Sequence, residues 1–93
     1  SFGSRHRYDV ILNLRWSRPL SDVGEIDRLL QRHVRRSRRA SQRATMGETV
    51  GADLSYWLLL RDPARVDELL SELRELNGVS HVSSILAEDE SEV

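Results

Sequence analysis

Histidines, paired acids and serines are the residues of this chain whose chemistry suits catalysis or metal binding. The histidines His6, His33 and His81 fall in the leading segment, in a helical pattern and near the start of a strand pattern. Their spacing is not that of metal ligands, and the sequence has no cysteine to supply a thiolate ligand or nucleophile. We therefore expect no metal and no cofactor. We expect His33 to lie at the boundary of an apolar helix stripe, with one ring nitrogen bonded locally.

Acidic pairs occur at Asp67 with Glu68 and at Glu72 with Glu75, on the predicted solvent side of an amphipathic helix. A solvated helix face accounts for such pairs, and 93 residues leave little room for a catalytic cleft. Ser55 and the other serines have no adjacent base pattern, and the sequence has no Gly-rich phosphate loop. We predict that the domain is not an enzyme.

A dense arginine cluster is the strongest chemical signal, with seven Arg in the sixteen residues from 28 to 43. Three interpretations compete: a solvated face paired with the acidic second half of the chain, contact with anionic lipid headgroups, or binding to nucleic acid. The predicted third strand lacks the Lys/Arg-Gly-Phe/Tyr motif of RNA-binding sheets, and the acidic C-terminal residues repel phosphate, so nucleic acid ranks last. The candidate anion-binding residues are Arg28, Arg32, Arg35, Arg36, Arg38, Arg39 and Arg43.

Charge is divided unequally along the chain. Residues 1–47 carry eleven Arg and four acids, whereas residues 48–93 carry three Arg and eleven acids. The formal net charge of −1 therefore conceals halves of opposite sign. All fourteen basic residues are Arg, which stays charged and can bind carboxylate or phosphate through two hydrogen bonds.

The length supports one domain with one core. We expect a flexible lead-in at 1–6, a single domain at 7–87 and an acidic tail at 88–93. No apolar run is long enough to span a bilayer, and no signal peptide opens the chain, so we expect a soluble, cytoplasmic domain.

Apolar periodicity predicts four strands. Alternation predicts a half-buried strand at 7–16, and the most apolar run, 53–62, predicts a central strand. A fourth strand is predicted at 79–86. The stretch 35–46 fits either a continued helix or a polar edge strand; we favour an edge strand at 39–46, because Arg keeps an edge from pairing with other molecules.

Helical spacing predicts two helices. The first is expected from about Asp22 to Arg36, with Ser21 or Asp22 as N-cap; if Asp22 is the cap, Glu25 completes an acidic capping box. The turn at 47–51 leads into the third strand. The second helix is expected after Asp62 as N-cap, with Pro63 in its first turn, and to end at Asn77-Gly78. Its predicted buried stripe is Val66, Leu69, Leu70, Leu73 and Leu76.

The order strand, helix, strand, strand, helix, strand predicts an α+β fold, the ferredoxin-like βαββαβ sandwich, with two helices on one face of a four-stranded antiparallel sheet. With Asp62-Pro63 and the run from Leu76 to Val82, the second half resembles an ACT-type regulatory domain. The whole chain resembles cytoplasmic C-terminal domains of bacterial multi-pass membrane proteins, including the MgtC-like group. That resemblance implies a regulatory or assembly module tethered to the inner membrane. The effector-loop glycines of ACT domains are absent at 17–21, which argues against amino-acid binding; the effector is unassigned.

Strand parity predicts an association surface. If the core side of the third strand is formed by alternate residues, Trp57 and Leu59 lie on the opposite face, where Ile11 joins them. We expect a homodimer through this face, with Arg15 and Arg61 at its rim. A one-residue shift of register would instead bury Trp57. The predicted core side is Leu54, Tyr56, Leu58 and Leu60.

Overall fold

The computed structural model of the chain describes residues 7–44 and 51–87. These residues form a βαββαβ arrangement, with a 3-10 turn at Leu20–Asp22 and at Pro63–Arg65 before each helix. The elements are β1 (Val10–Trp16), α1 (Gly24–Gln31), β2 (Val34–Ala44), β3 (Ala52–Leu60), α2 (Val66–Arg74) and β4 (Val79–Leu86). The ferredoxin-like α+β fold predicted from the sequence is confirmed.

The sheet is antiparallel throughout and its strand order is β2-β3-β1-β4. The two most apolar strands, β1 and β3, are therefore central, and each has a buried residue at every second position. Both helices cover the same side of the sheet, because their apolar stripes join those buried strand residues in one core. The buried helix residues are Ile26, Leu29, Leu30, Leu69, Leu70 and Leu73.

Helix α1 is shorter than predicted, and β2 is longer. The helix ends at Gln31 and β2 starts at Val34, so the predicted helix to Arg36 and strand start at Arg39 are both wrong. Val34 is buried opposite Leu60 of β3, and this packing fixes it in the sheet although its spacing also fits the helix stripe. The predicted strand end at Met46 and the turn at 47–50 lie outside the described residues.

The predicted capping box of α1 is also wrong. Asp22 lies in the 3-10 turn before the helix and makes no side-chain cap. Glu25 instead accepts two hydrogen bonds from Arg18, at 2.9 and 2.7 Å. The Arg18 guanidinium also lies 5.0 Å from the ring of the buried Trp16. In a capping box, the Glu25 carboxylate would accept a hydrogen bond from the backbone amide of the N-cap residue. Here it accepts from Arg18 instead.

Asp62 and Pro63 start the 3-10 turn that leads into α2, and α2 itself is shorter than predicted, from Val66 to Arg74. The Asp62 carboxylate accepts a hydrogen bond from the Ala64 amide at 3.1 Å, and Pro63 occupies the first turn. After the helix, Gly78 has a φ of +92°, a conformation that glycine adopts without cost.

Both edge strands are irregular, whereas the β1–β3 pairing is regular. The β2 register shifts between Val34 and Arg36 and again between Arg39 and Ser41. The β4 register shifts near His81, whose φ is +54°. A bulge inserts one unpaired residue and changes which side chains face the core. These shifts therefore decide which β2 and β4 side chains share a face with those of β1 and β3.

Candidate functional site

The face of the sheet turned away from both helices, called here the open face, carries an apolar row. Ile11 of β1 is the cross-strand partner of both Trp57 of β3 and Ile85 of β4. Leu59 lies two residues from Trp57 and thus on the same face. Ile11, Trp57 and Leu59 lie on the face that the predicted register gave them, but they are half-buried rather than exposed. These four residues, Ile11, Trp57, Leu59 and Ile85, are called here the apolar patch.

Ile85 is the member of the patch that sequence reasoning missed. Its exposed fraction is 58%, the largest in the patch. Simple alternation from the core-facing Val79 would have put Ile85 on the helix side. The bulge near His81 instead turns both Val79 and Val82 toward the core and Ile85 toward the open face. His is one of the few non-glycine residues enriched at positive φ, but a single His in an apolar and serine-rich run does not by itself predict a bulge.

Tyr8 extends the patch from the segment before β1. Its ring meets that of Trp57 edge-to-face, with centroids 6.0 Å apart and planes at 82°. This is a favoured aromatic geometry. The predicted start of the first strand at Arg7 is wrong, since β1 begins at Val10. Tyr8 therefore lies outside the strand, where alternation does not determine the direction of its side chain. Its ring packs against Trp57.

Two polar rows follow the apolar row along the open face. Ser55 is the partner of both Asn13 and Ser41, and its hydroxyl donates a hydrogen bond to the Asn13 side chain. Asn13 in turn pairs with Ser83, so this serine row crosses all four strands. The next row holds charges, because Asp53 lies between Arg15 and Arg43. One end of the open face is therefore apolar and the other polar.

The Arg15–Asp53 pair fixes the charges of the polar end. Arg15 Nε donates to Asp53 Oδ1 at 2.9 Å. This hydrogen bond lowers the pKa of Asp53 and raises that of Arg15, and the charges of Arg15 and Arg43 lower the Asp53 pKa further. Asp53 is thus ionised throughout the physiological pH range.

The predicted rim residues are placed differently from expectation. Arg15 lies on the open face, but two rows from the apolar patch and bonded to Asp53. Arg61 donates from its guanidinium to the Gln31 carbonyl at 3.3 Å, at the end of α1. The Arg61 guanidinium therefore lies at the end of α1, and the prediction that Arg61 lies at the rim of the apolar patch is wrong. Arg38 of β2, opposite Trp57, occupies the rim instead.

The candidate anion-binding arginines do not form one surface. Arg36, Arg38 and Arg43 face the open side, since their β3 partners are Leu59, Trp57 and Asp53. Arg39 points to the helix side, where its guanidinium lies 5.8 Å from the Tyr56 ring centroid and 3.9 Å from Asp27. Arg28 is on α1, Arg32 follows it, and Arg35 lies at the first β2 register shift.

One interpretation of the arginine cluster was a solvated face paired with acids from the second half of the chain. One such contact, between Arg32 and Glu72, is present. Glu72 Oε1 of α2 lies 3.3 Å from Arg32 Nη2 and 2.9 Å from His33 Nε2. The hydrogen bond from His33 is the main cause of the lowered pKa of Glu72, and that from Arg32 adds to it. His33 therefore lies in the turn before β2 and bonds across the fold. The prediction that His33 lies in the helix with a local partner is wrong, whereas Glu72 stays partly exposed, with 35% of its side chain accessible.

Within residues 7–44 and 51–87, no three His, Asp or Glu side chains cluster in a way that would hold a metal ion. In the same residues, no helix has the length and apolar character needed to cross a bilayer. The Tyr56 hydroxyl is buried, and burial raises its pKa to about 12, so it stays protonated and neutral. His6, the predicted lead-in at 1–6 and the predicted acidic tail at 88–93 fall outside the described residues.

Comparison with family models, with curated proteins and with solved structures found no match to this chain. The resemblance to ACT-type and MgtC-like domains therefore stays an expectation that rests on the residues quoted for it.

Proposed function

We propose that this domain is a non-catalytic regulatory or assembly module that forms a homodimer through the open face of its sheet. The observation that carries the proposal is the apolar row in which Trp57, Ile11 and Ile85 are successive cross-strand partners. Contiguous apolar surface on a monomer marks an association site more often than scattered apolar residues do. Trp is moreover a frequent anchor of interfaces.

A second copy of the chain suits this face because the face is complementary to itself. It carries apolar groups at one end and charges of both signs at the other, Arg15 with Asp53. At the β2 edge it carries Arg36 and Arg38, while the sequence after β4 continues into four acids within residues 88–92. An identical partner therefore offers apolar surface for the patch and charges of both signs for the polar end.

The size of the face sets the expected affinity. Four strands about 4.8 Å apart and seven residues long make a surface of roughly 20 by 23 Å. Standard interfaces bury about 800 Å² per partner, so this face is at the small end. A dimer in the micromolar range is expected, and the concentration series used to detect it must extend well above that range.

Trp57→Glu and Ile85→Glu are each expected to give a folded monomer at concentrations where the parent is a dimer. A carboxylate in the apolar row would lose its hydration against the apolar side chains of the partner, which is costly. Sedimentation equilibrium measures the association, and near-ultraviolet circular dichroism reports the fold. Ile85→Glu guards against misfolding of the Trp57 variant, because Ile85 is largely exposed at an edge strand.

Gln31→Glu is the matched control, since it adds the same charge at an exposed position on α1, away from the open face. It should dimerise like the parent. A parent that stays monomeric across the whole series overturns the proposal, and so does a folded Ile85→Glu variant that dimerises as tightly as the parent.

The resemblance described from the sequence supports a cellular context for the module. We place it on the cytoplasmic side of a bacterial multi-pass membrane protein, tethered through a preceding segment. The residues encoded before Ser1 test this: several apolar spans there support it, and a polar segment overturns it.

A second candidate function is anionic phospholipid binding by the arginines of β2. Its support is the position of Arg36, Arg38 and Arg43, which are exposed and face the open side of one edge strand. Each basic residue near an anionic membrane contributes about 1 kcal/mol. We expect salt-sensitive pelleting with phosphatidylserine vesicles, reduced about tenfold or more by the double variant Arg38→Glu/Arg43→Glu.

The double variant Arg65→Glu/Arg74→Glu controls for net charge, because both residues lie on the α2 side of the fold. It should pellet like the parent. Equal pelleting with phosphatidylcholine vesicles, or none at low salt, rejects lipid binding. Tight binding of single-stranded RNA in the same series would assign the arginines to nucleic acid instead.

A further inference from the structure

A groove of about 470 Å³ crosses the polar end of the open face. It lies over the serine row, in which Ser41, Ser55 and Asn13 are successive cross-strand partners with short side chains. Longer side chains flank that row, Trp57 on one side and Arg43 on the other, so the row forms a depression between them. This groove, called here the polar groove, is lined from all four strands by Ser41, Arg43, Asp53, Ser55, Asn13 and His81.

The charges at the polar groove sum to a positive value. Asp53 lies between two arginines, because Arg15 and Arg43 are its cross-strand partners on either side. Arg15 is bonded to Asp53 at 2.9 Å and balances its charge. Two guanidiniums against one carboxylate leave one positive charge, and Arg43, which lines the groove, carries it. This charge favours an anionic ligand.

The neutral side chains of the groove offer hydrogen-bond donors. The Ser55 hydroxyl donates to the side-chain oxygen of Asn13, which leaves the Asn13 amide nitrogen as a donor. Ser41 is exposed and adds a hydroxyl group. His81, at the bulge of β4 with a φ of +54°, contacts Ser80 Oγ through Nδ1 at 3.1 Å, so Nε2 is left for a ligand. A ligand rich in oxygen atoms matches these groups.

A phosphate monoester of a small hydroxylated molecule meets both requirements. Its phosphate oxygens can accept two parallel hydrogen bonds from one guanidinium. Its hydroxyl groups both donate and accept, and therefore suit the hydroxyl of Ser41 and the amide of Asn13. The groove volume of about 470 Å³ is within the range of about 300 to 1,000 Å³ that small-molecule sites have. That volume has room for an organic group besides the phosphate.

We infer that the polar groove binds such a phosphate monoester, with Arg43 on the phosphate and with Asn13 and Ser41 on the hydroxyl groups. This gives the regulatory module a chemical class of effector and goes beyond the proposed homodimer. The site does not need the homodimer, because the residues that line it belong to one protomer. A soluble sugar phosphate and a phosphoinositide headgroup share this chemistry.

Titration of the chain with ribose 5-phosphate, followed in amide NMR spectra, tests the site. We expect saturable shifts for the amides of Asn13, Ser55 and His81, and none for Ile85 at the apolar end. Ribose 5-phosphate should bind at least about threefold more tightly than inorganic phosphate, because its hydroxyl groups add hydrogen bonds. Arg43→Gln should weaken its binding by about tenfold or more, since charged hydrogen bonds are lost.

Arg38→Gln is the matched control, because it removes the same charge from an exposed position of the same strand, opposite Trp57. It should bind ribose 5-phosphate nearly as tightly as the parent. Ser41→Tyr, at an exposed edge-strand position that accepts an aromatic residue, should fill the groove and abolish binding in a folded domain. Absence of shifts at millimolar ligand overturns the inference. So does equal weakening by Arg38→Gln and Arg43→Gln, or parental binding by Ser41→Tyr.

Vesicles separate the two sources of phosphate. Pelleting with phosphatidylcholine vesicles that contain phosphatidylinositol 4-phosphate is compared with and without saturating ribose 5-phosphate. Pelleting that ribose 5-phosphate abolishes assigns the groove to a lipid headgroup, whereas pelleting that persists or never occurs assigns it to a soluble ligand. Sedimentation reports on the homodimer separately. A dimeric parent without ligand binding leaves only the proposed homodimer standing, and a monomeric parent that binds leaves only the polar groove.

Discussion

Leu58→Ala is expected to lower the free energy of unfolding by about 2 to 5 kcal/mol. Leu58 is fully buried in β3, opposite Val10 and Ser37, and truncation leaves a cavity that a central strand cannot close by moving. Leu70 of α2 is buried on the other side of the same core, so Leu70→Ala should have an effect of the same sign and range. Urea unfolding followed by circular dichroism measures both. For so small a domain, either loss approaches the total stability.

Leu59→Ala is the internal control for Leu58→Ala, because the two leucines are neighbours on opposite faces of β3. Leu59 is only half-buried and lies in the apolar patch. Its truncation should leave the monomer close to parental stability at low concentration and weaken the dimer instead. If Leu58→Ala and Leu59→Ala destabilise the monomer equally, the assignment of the two faces of β3 is wrong.

The sequence was sufficient to predict the central part of this fold. Alternation in β1 and β3 predicted which residues are buried, and the structure has the same parity at Ile11, Trp57 and Leu59. The alternative register that would bury Trp57 is excluded, since Trp57 is half-buried on the open face. These strands are regular and one face of each packs on the helices, so the hydrophobic pattern alone determines their register.

The edge strands were less predictable, because they have no regular hydrophobic alternation that would determine how they pair with the central strands. In β2 the run around Arg36 and Arg38 has no hydrophobic period, and only Val34 marks the face. In β4 the bulge near His81 reverses the parity of Ile85. Both irregularities are irregularities of pairing, of β2 with β3 and of β4 with β1. The local sequence of an edge strand does not specify how it pairs with a strand that is distant along the chain.

The polar contacts were the least predictable part of the site. Arg18 was assigned no role from the sequence, yet it binds Glu25 and covers Trp16. His33 finds its partner in Glu72, thirty-nine residues away. Long charged side chains reach any group that the fold brings near, and their spacing along the chain carries little information on which group that is.

Gly51→Ala is expected to destabilise the fold by at least about 2 kcal/mol, for reasons that lie in the backbone. Gly51 precedes β3 with a φ of +123°, a conformation that a residue with a Cβ rarely adopts. A Cβ there would also lie 2.0 Å from the Trp16 carbonyl oxygen and 2.9 Å from the Ser17 Cα. Because both atoms belong to the backbone, no side-chain rotation relieves the clash. The end of β1 and the start of β3 would have to separate.

Gly24→Ala provides the matched comparison for Gly51→Ala. Gly24 is the first residue of α1, and a Cβ there meets only Arg28 Nη1, at an ordinary contact distance of 3.6 Å. Alanine favours the helix over glycine by roughly 0.5 to 1 kcal/mol, so this variant should unfold at a higher urea concentration than the parent. The same chemical change thus raises stability at one glycine and lowers it at the other. A Gly51→Ala protein as stable as Gly24→Ala would show that residue 51 does not hold a positive φ against the end of β1.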